Sequence, residues 1–102
     1  MRGRFEVLWS ASVKDDLRHL RAYDRQRILQ AIEGQLRHAP TMTTKNRKLL
    51  RYLLPPFEAV PPIWQLRVGD FRVFYDVDEQ EQKVYIRAVR RKPAHLRTEE
   101  IL

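Results

Sequence analysis

The sequence contains no cysteine. That excludes disulfide scaffolds, thiolate zinc sites and cysteine nucleophiles. It also lacks any apolar run approaching the ~20 residues that a bilayer span needs. Near Met1, the charges of Arg2, Arg4 and Glu6 interrupt the stretch where a signal peptide would carry its apolar core. The expectation is therefore a cytoplasmic protein with no membrane partner. Histidine is sparse and scattered, at His19, His38 and His95. The acids Asp76, Asp78, Glu79 and Glu81 read as a solvent-exposed turn. Neither pattern supplies clustered ligands, so no metal and no cofactor is expected.

What is present is charge of one sign. The 102 residues carry 20 Lys+Arg against 13 Asp+Glu, a net charge of +7. The pI near 10.2 points to a polyanionic partner, nucleic acid first. Arginine outnumbers lysine 15 to 5, and its planar fork suits bidentate phosphate contacts. Residues 34–57 and 84–98 each hold five bases and no acid. This segregation marks an electrostatic footprint rather than a mixed solvated surface. With 43% of residues apolar, the chain is expected to fold, and its length fits one domain over residues 1–102.

The hydrophobic spacing predicts an α+β fold. Residues 4–9 alternate as a short strand. Ser12 is expected to cap a first helix, with Asp15 in its first turn and Val13, Leu17 and Leu20 on its apolar side. Asp24 is expected to cap a second helix bearing Ile28, Ile32 and Leu36, with Leu29 alongside and Pro40 after its end. The two would form a helical hairpin joined near Ala22 and Tyr23. The Pro-rich stretch 41–62 reads as a loop or edge element. From Ile63 an antiparallel meander follows, with a tight turn at Gly69-Asp70 and the two helices covering one sheet face.

That turn sets Arg67 opposite Arg72. Pairing apolar with apolar in the next hairpin sets Val77 against Val84, Tyr75 against Ile86 and Val73 against Ala88. The face away from the helices would then carry Gln65, Arg67, Arg72, Phe74, Asp76, Tyr85, Arg87, Val89 and Arg91. Like charges opposed on a sheet destabilise it. Arginines interleaved with Phe74 and Tyr85 instead suit a platform for phosphates and stacked bases. The loop bases Lys45, Arg47 and Lys48, together with Arg87 and His95, complete the expected RNA-binding set.

The run Trp64-Gln-Leu-Arg-Val-Gly-Asp-Phe-Arg-Val-Phe-Tyr-Asp-Val-Asp resembles the central hairpin of the RelE/ParE toxin superfamily. Trp9-Ser-Ala-Ser-Val-Lys-Asp-Asp-Leu and Val84-Tyr-Ile-Arg-Ala-Val-Arg-Arg-Lys resemble the family's flanking segments. The resemblance implies a RelE-like fold and a type II toxin held by a cognate antitoxin. RelE-like members cut mRNA, usually on the ribosome and without a metal, by attack of a ribose 2′-OH on the adjacent phosphate. It implies catalytic roles for Arg72 at the central phosphate, for Arg67, and for Arg91 and Lys92 at the basic end of the last strand. Gln65 falls where such nucleases have a further lysine. Thr98 falls near a position where they carry a tyrosine, a departure that leaves two other readings open. One is a ParE-like poison of DNA gyrase; the other is a non-catalytic RNA-binding module.

Overall fold

A five-stranded sheet forms the centre of the computed structural model, which describes residues 4–102. Arg2, one of the N-terminal charges noted above, lies outside the described residues. The elements run β1 (Glu6–Trp9), α1 (Ala11–Arg18), α2 (Ala22–Gln35), β2 (Arg47–Leu50), β3 (Ile63–Val68), β4 (Phe71–Asp78), β5 (Lys83–Arg91) and α3 (Thr98–Ile101). Their order across the sheet is β1-β5-β4-β3-β2. The expected meander is its antiparallel centre, and β1 adds to β5 in parallel, Val7 beside Val84. The stretch after Pro40 supplies β2, which pairs antiparallel with β3 at the sheet edge.

Both helices begin earlier than expected. Ser10, not Ser12, caps α1, its hydroxyl accepting from the Val13 amide at 3.2 Å. Strand β1 ends at Trp9, so Ser10 is the first residue free to turn. Asp15 consequently falls outside the first turn and pairs with Arg18. Arg21 stands at the N-cap of α2, and Asp24 lies in its first turn, buried and bonded to Arg21 Nε at 3.3 Å. The helix joint accordingly lies at 19–21, ahead of Ala22.

Val13, Leu17, Ile28, Ile32 and Leu36 pack on Leu66, Val73, Tyr75, Val84 and Ile86 to form the main core. The Gly69-Asp70 turn works as expected: Gly69 has φ +58°, open to glycine at little cost. Val68 pairs with Phe71 and Arg67 with Arg72.

The second hairpin departs from expectation at one residue. Tyr75 pairs with Ile86, but Phe74 pairs with Ala88, so Arg87 is an extra residue in β5. Beyond this β-bulge the faces exchange. Val73 opposes Val89 rather than Ala88, and Arg72 opposes Arg90. Val89 joins the main core, whereas Ala88 joins a second cluster with Ile63 and Phe74.

The α1–α2 hairpin covers one sheet face as expected, and the second cluster lies on the other face. Leu50, Phe57, Ala59, Ile101 and Leu102 pack against it, so α3 and the Pro-rich loop cover the middle of the second face. Burying Phe74 completely is worth about 2–3 kcal/mol.

Candidate functional site

Beside this covered region, the second face opens into a recess of about 300 Å³. Lys45, Asn46, Lys48, Gln65, Arg67, Arg72, Lys92 and Thr98 line it. Five of these eight residues are cations and none is an acid. Each arrives by a local rule. Alternation on β2 and β3 sets Lys48 beside Gln65. The tight turn sets Arg67 against Arg72. The Lys92 amide donates to the Asp70 carbonyl at 2.6 Å, which holds the end of β5 against the turn. The Arg67 amide donates to the Asn46 carbonyl at 2.7 Å, which draws in the 45–46 loop.

The Arg72 guanidinium is held by backbone. Its Nη1 donates to the carbonyl oxygens of Gly69 at 2.9 Å and Phe71 at 2.8 Å. Partial burial lowers its proton affinity from the ordinary arginine value, the neighbouring Arg67 charge lowers it further, and Asp70 opposes both. A guanidinium starts so high that it stays cationic under such pressure. The group therefore meets an incoming anion fixed in place and incompletely neutralised. At the recess floor, Thr98 Oγ1 donates to Gln65 Oε1 at 2.8 Å. This leaves the Gln65 NH₂ as an uncharged donor toward the recess.

The recess unites three of the four residues expected to be catalytic, Arg67, Arg72 and Lys92, with the expected RNA contacts Lys45 and Lys48. The others lie elsewhere. The bulge turns Arg91 to the helix-covered face, where its guanidinium lies 4.8 Å from the Phe71 ring centre. Arg90 takes its place across from Arg72, but Arg90 Nη1 is bound to Asp16 Oδ2 at 2.9 Å. Arg47, paired with Leu66 on the core side, donates to the carbonyls of Gln35 and Ala39, both at 2.8 Å. It thus serves the open C-terminus of α2.

Phe74 is fully buried, with the Phe57 ring 5.9 Å away, and offers no ring face to a base. Arg87 grips the buried Asp76 with bonds of 2.7 and 3.3 Å and covers the Tyr85 ring at 4.8 Å. Arg87 and Tyr85 border a separate hollow with Asp76, Asp78 and Glu79, an acidic surround that repels phosphate. His95 is exposed on the turn after β5, outside the recess.

Sequence reasoning missed Asn46 and Asp16. Asn46 sits inside the acid-free loop, which was its available signal. Asp16 acts on Arg90 across 74 positions and left no local signal.

A family model described as the ParE toxin of the type II toxin–antitoxin system parDE matches residues 7–92. No curated protein matches the sequence. Among the solved structures that share the fold, three match at low identity and high coverage. The archaeal RelE–RelB complex from Pyrococcus horikoshii is 19% identical, with a TM-score of 0.68 over 90% of this chain and 98% of that one. The RelBE2 toxin–antitoxin complex from Mycobacterium tuberculosis is 21% identical, with a TM-score of 0.70 over 87% and 99%. A free mutant of the E. coli toxin RelE is 18% identical, with a TM-score of 0.60 over 89% and 84%.

Proposed function

The chain belongs to the RelE/ParE superfamily of type II toxins, and from that premise we propose that it is a metal-free endoribonuclease that cuts mRNA and blocks translation. One observation carries this reading: five cations line a recess without a single carboxylate. Such a surface meets charge that develops on a phosphate as its ester bond breaks.

In the proposed reaction the ribose 2′-oxygen bonds to the adjacent phosphorus while the bond to the 5′-oxygen breaks. The 2′-hydroxyl gives up a proton, the departing 5′-oxygen gains one, and a 2′,3′-cyclic phosphate remains. Arg72 and Arg67 hold the non-bridging oxygens. The Gln65 NH₂ adds a neutral donor, positioned by Thr98. Lys45, Lys48 and Lys92 are the amines at hand to carry protons.

A cognate antitoxin is proposed as the protein partner, as in the two neighbouring complexes. Its place on this chain would be the apolar hollow lined by Leu49, Leu50, Leu53, Leu54 and the Pro61-Pro62 pair at the β2 edge. There Tyr52 and Leu54 are 99% and 89% exposed, and exposed apolar side chains beside an apolar hollow suit a protein partner.

Primer extension on cellular mRNA after induction tests the nuclease. Discrete new 5′ ends that vanish in Arg72→Ala support it, and intact messages under growth arrest reject it. The match to a ParE model favours one second reading, a poison of DNA gyrase. Double-strand DNA breaks with intact messages would establish that reading instead.

A further inference from the structure

We infer that the cationic surface continues around the β3–β4 turn to a second subsite, formed by Arg27, Tyr23 and Arg91, that binds a flanking nucleotide of a single-stranded RNA. This rests on the RNA reading of the recess and extends it from one phosphate to a strand. Gly69 has a guanidinium on each side. Arg72 Nη1 donates to its carbonyl oxygen at 2.9 Å. From α2, Arg27 comes so near that a β-carbon placed on Gly69 would stand 2.5 Å from Arg27 Nη2. Among the described residues neither guanidinium is part of an ion pair. Two like charges about one turn residue repel, and an anion passing over the turn relieves both.

The neighbours of Arg27 point to a nucleotide rather than a bare phosphate. Tyr23, one helical turn before it, is 68% exposed, and the Arg27 guanidinium lies 5.7 Å from its ring centre. An exposed tyrosine presents a face on which a base can stack beside a cation that takes the phosphate. Arg91 extends the patch from the end of β5 and is itself exposed. The one carboxylate at the turn, Asp70, faces solvent and acts on the charge of Arg72.

The test measures affinity for uncleavable 2′-O-methyl RNA of two and eight nucleotides across a salt series. Wild type should bind the octamer far more tightly than the dinucleotide. In Arg27→Gln combined with Tyr23→Ala, octamer affinity should fall about tenfold more than dinucleotide affinity. The slope of log affinity against log salt should shrink by about 0.7, the share of a single neutralised phosphate. Asp70→Asn, which alters no packed residue but also acts on Arg72, serves if the double variant does not fold: it should tighten octamer binding more than dinucleotide binding, and an equal gain at both lengths would overturn the subsite. Equal losses at both lengths, or an unchanged octamer, would overturn the subsite while RNA binding by the recess stands. A wild-type protein that binds neither RNA overturns the RNA reading, and the subsite falls with it.

Discussion

The two ends of the second sheet face carry the same kinds of residue and have opposite fates. At one end Arg87 lies on the bulge with both of its bonds to Asp76 made, Tyr85 beneath it and Glu58 at 3.6 Å. At the other end Arg67 and Arg72 face each other, with Lys45, Lys48 and Lys92 around them and no carboxylate in the lining. Positive charge is common to both. Only the second leaves it unmet by the protein. A paired arginine has given most of its interaction energy to the fold, whereas an unpaired one keeps it for a ligand.

The largest effect expected from this contrast is at the paired end. Asp76→Ala leaves the largely buried Arg87 with only the exposed Glu58 as partner and removes the acceptor of the Val60 amide, bonded at 2.9 Å. It should cost about 3–5 kcal/mol in denaturant unfolding. A loss below about 1 kcal/mol would show that the pair is not what holds that end together.

At the open end, Arg72→Ala should lower RNA cleavage by about 10²–10³-fold, the usual consequence of deleting one donor to a developing anion. Its melting temperature should hold or rise, because Arg67 loses a like-charged neighbour. A variant that melts early yet cleaves normally would reverse the roles of the two ends.

Thr98→Val breaks the buried bond to Gln65 and should cost about 1–2 kcal/mol of stability. Cleavage should drop several-fold through kcat rather than KM, and Thr98→Ser should restore it. Recovery of stability without recovery of kcat would assign Thr98 to the fold alone.

The smallest effect belongs to an exposed pair away from both ends. The hydrogen bond from Arg37 holds the Glu33 carboxyl below the ordinary glutamate range. A depressed folded-state value stabilises at neutral pH, and that contribution is lost as the pH falls through it. Wild type and Glu33→Gln should therefore converge in acid and in high salt, and differ slightly at pH 7. A gap that persists in acid would mean that something other than this charge pair is at work.

Much of this was legible in the residue order. The Gly69-Asp70 turn fixes its hairpin within four residues, so the Arg67–Arg72 pair could be placed from the sequence. The stripe of Ile28, Ile32 and Leu36 likewise named the helix face that is buried. The bulge at Arg87 was not legible. The β4–β5 turn spans several polar residues and leaves the register loose, and strand alternation reads the same with or without one extra residue far along it. Phe74 was assigned to the correct face, but its cover comes from Phe57, Ile101 and Leu102, distant in sequence. Arg47 and Lys48 look alike in a basic run, yet adjacent strand residues point to opposite faces.

The sequence by itself determined strands β1, β3, β4 and β5, the bodies of the two main helices, the tight turn and the excess of arginine, because each follows from hydrogen bonding and sterics over a few neighbouring residues. Tertiary structure decided which of those arginines are neutralised within the fold. Asp16 reaches Arg90 across 74 positions, and Asp76 reaches Arg87 across 11. Whether a charge is neutralised depends on what packing brings within about 4 Å of it, and such contacts between distant segments exist only once the chain has folded.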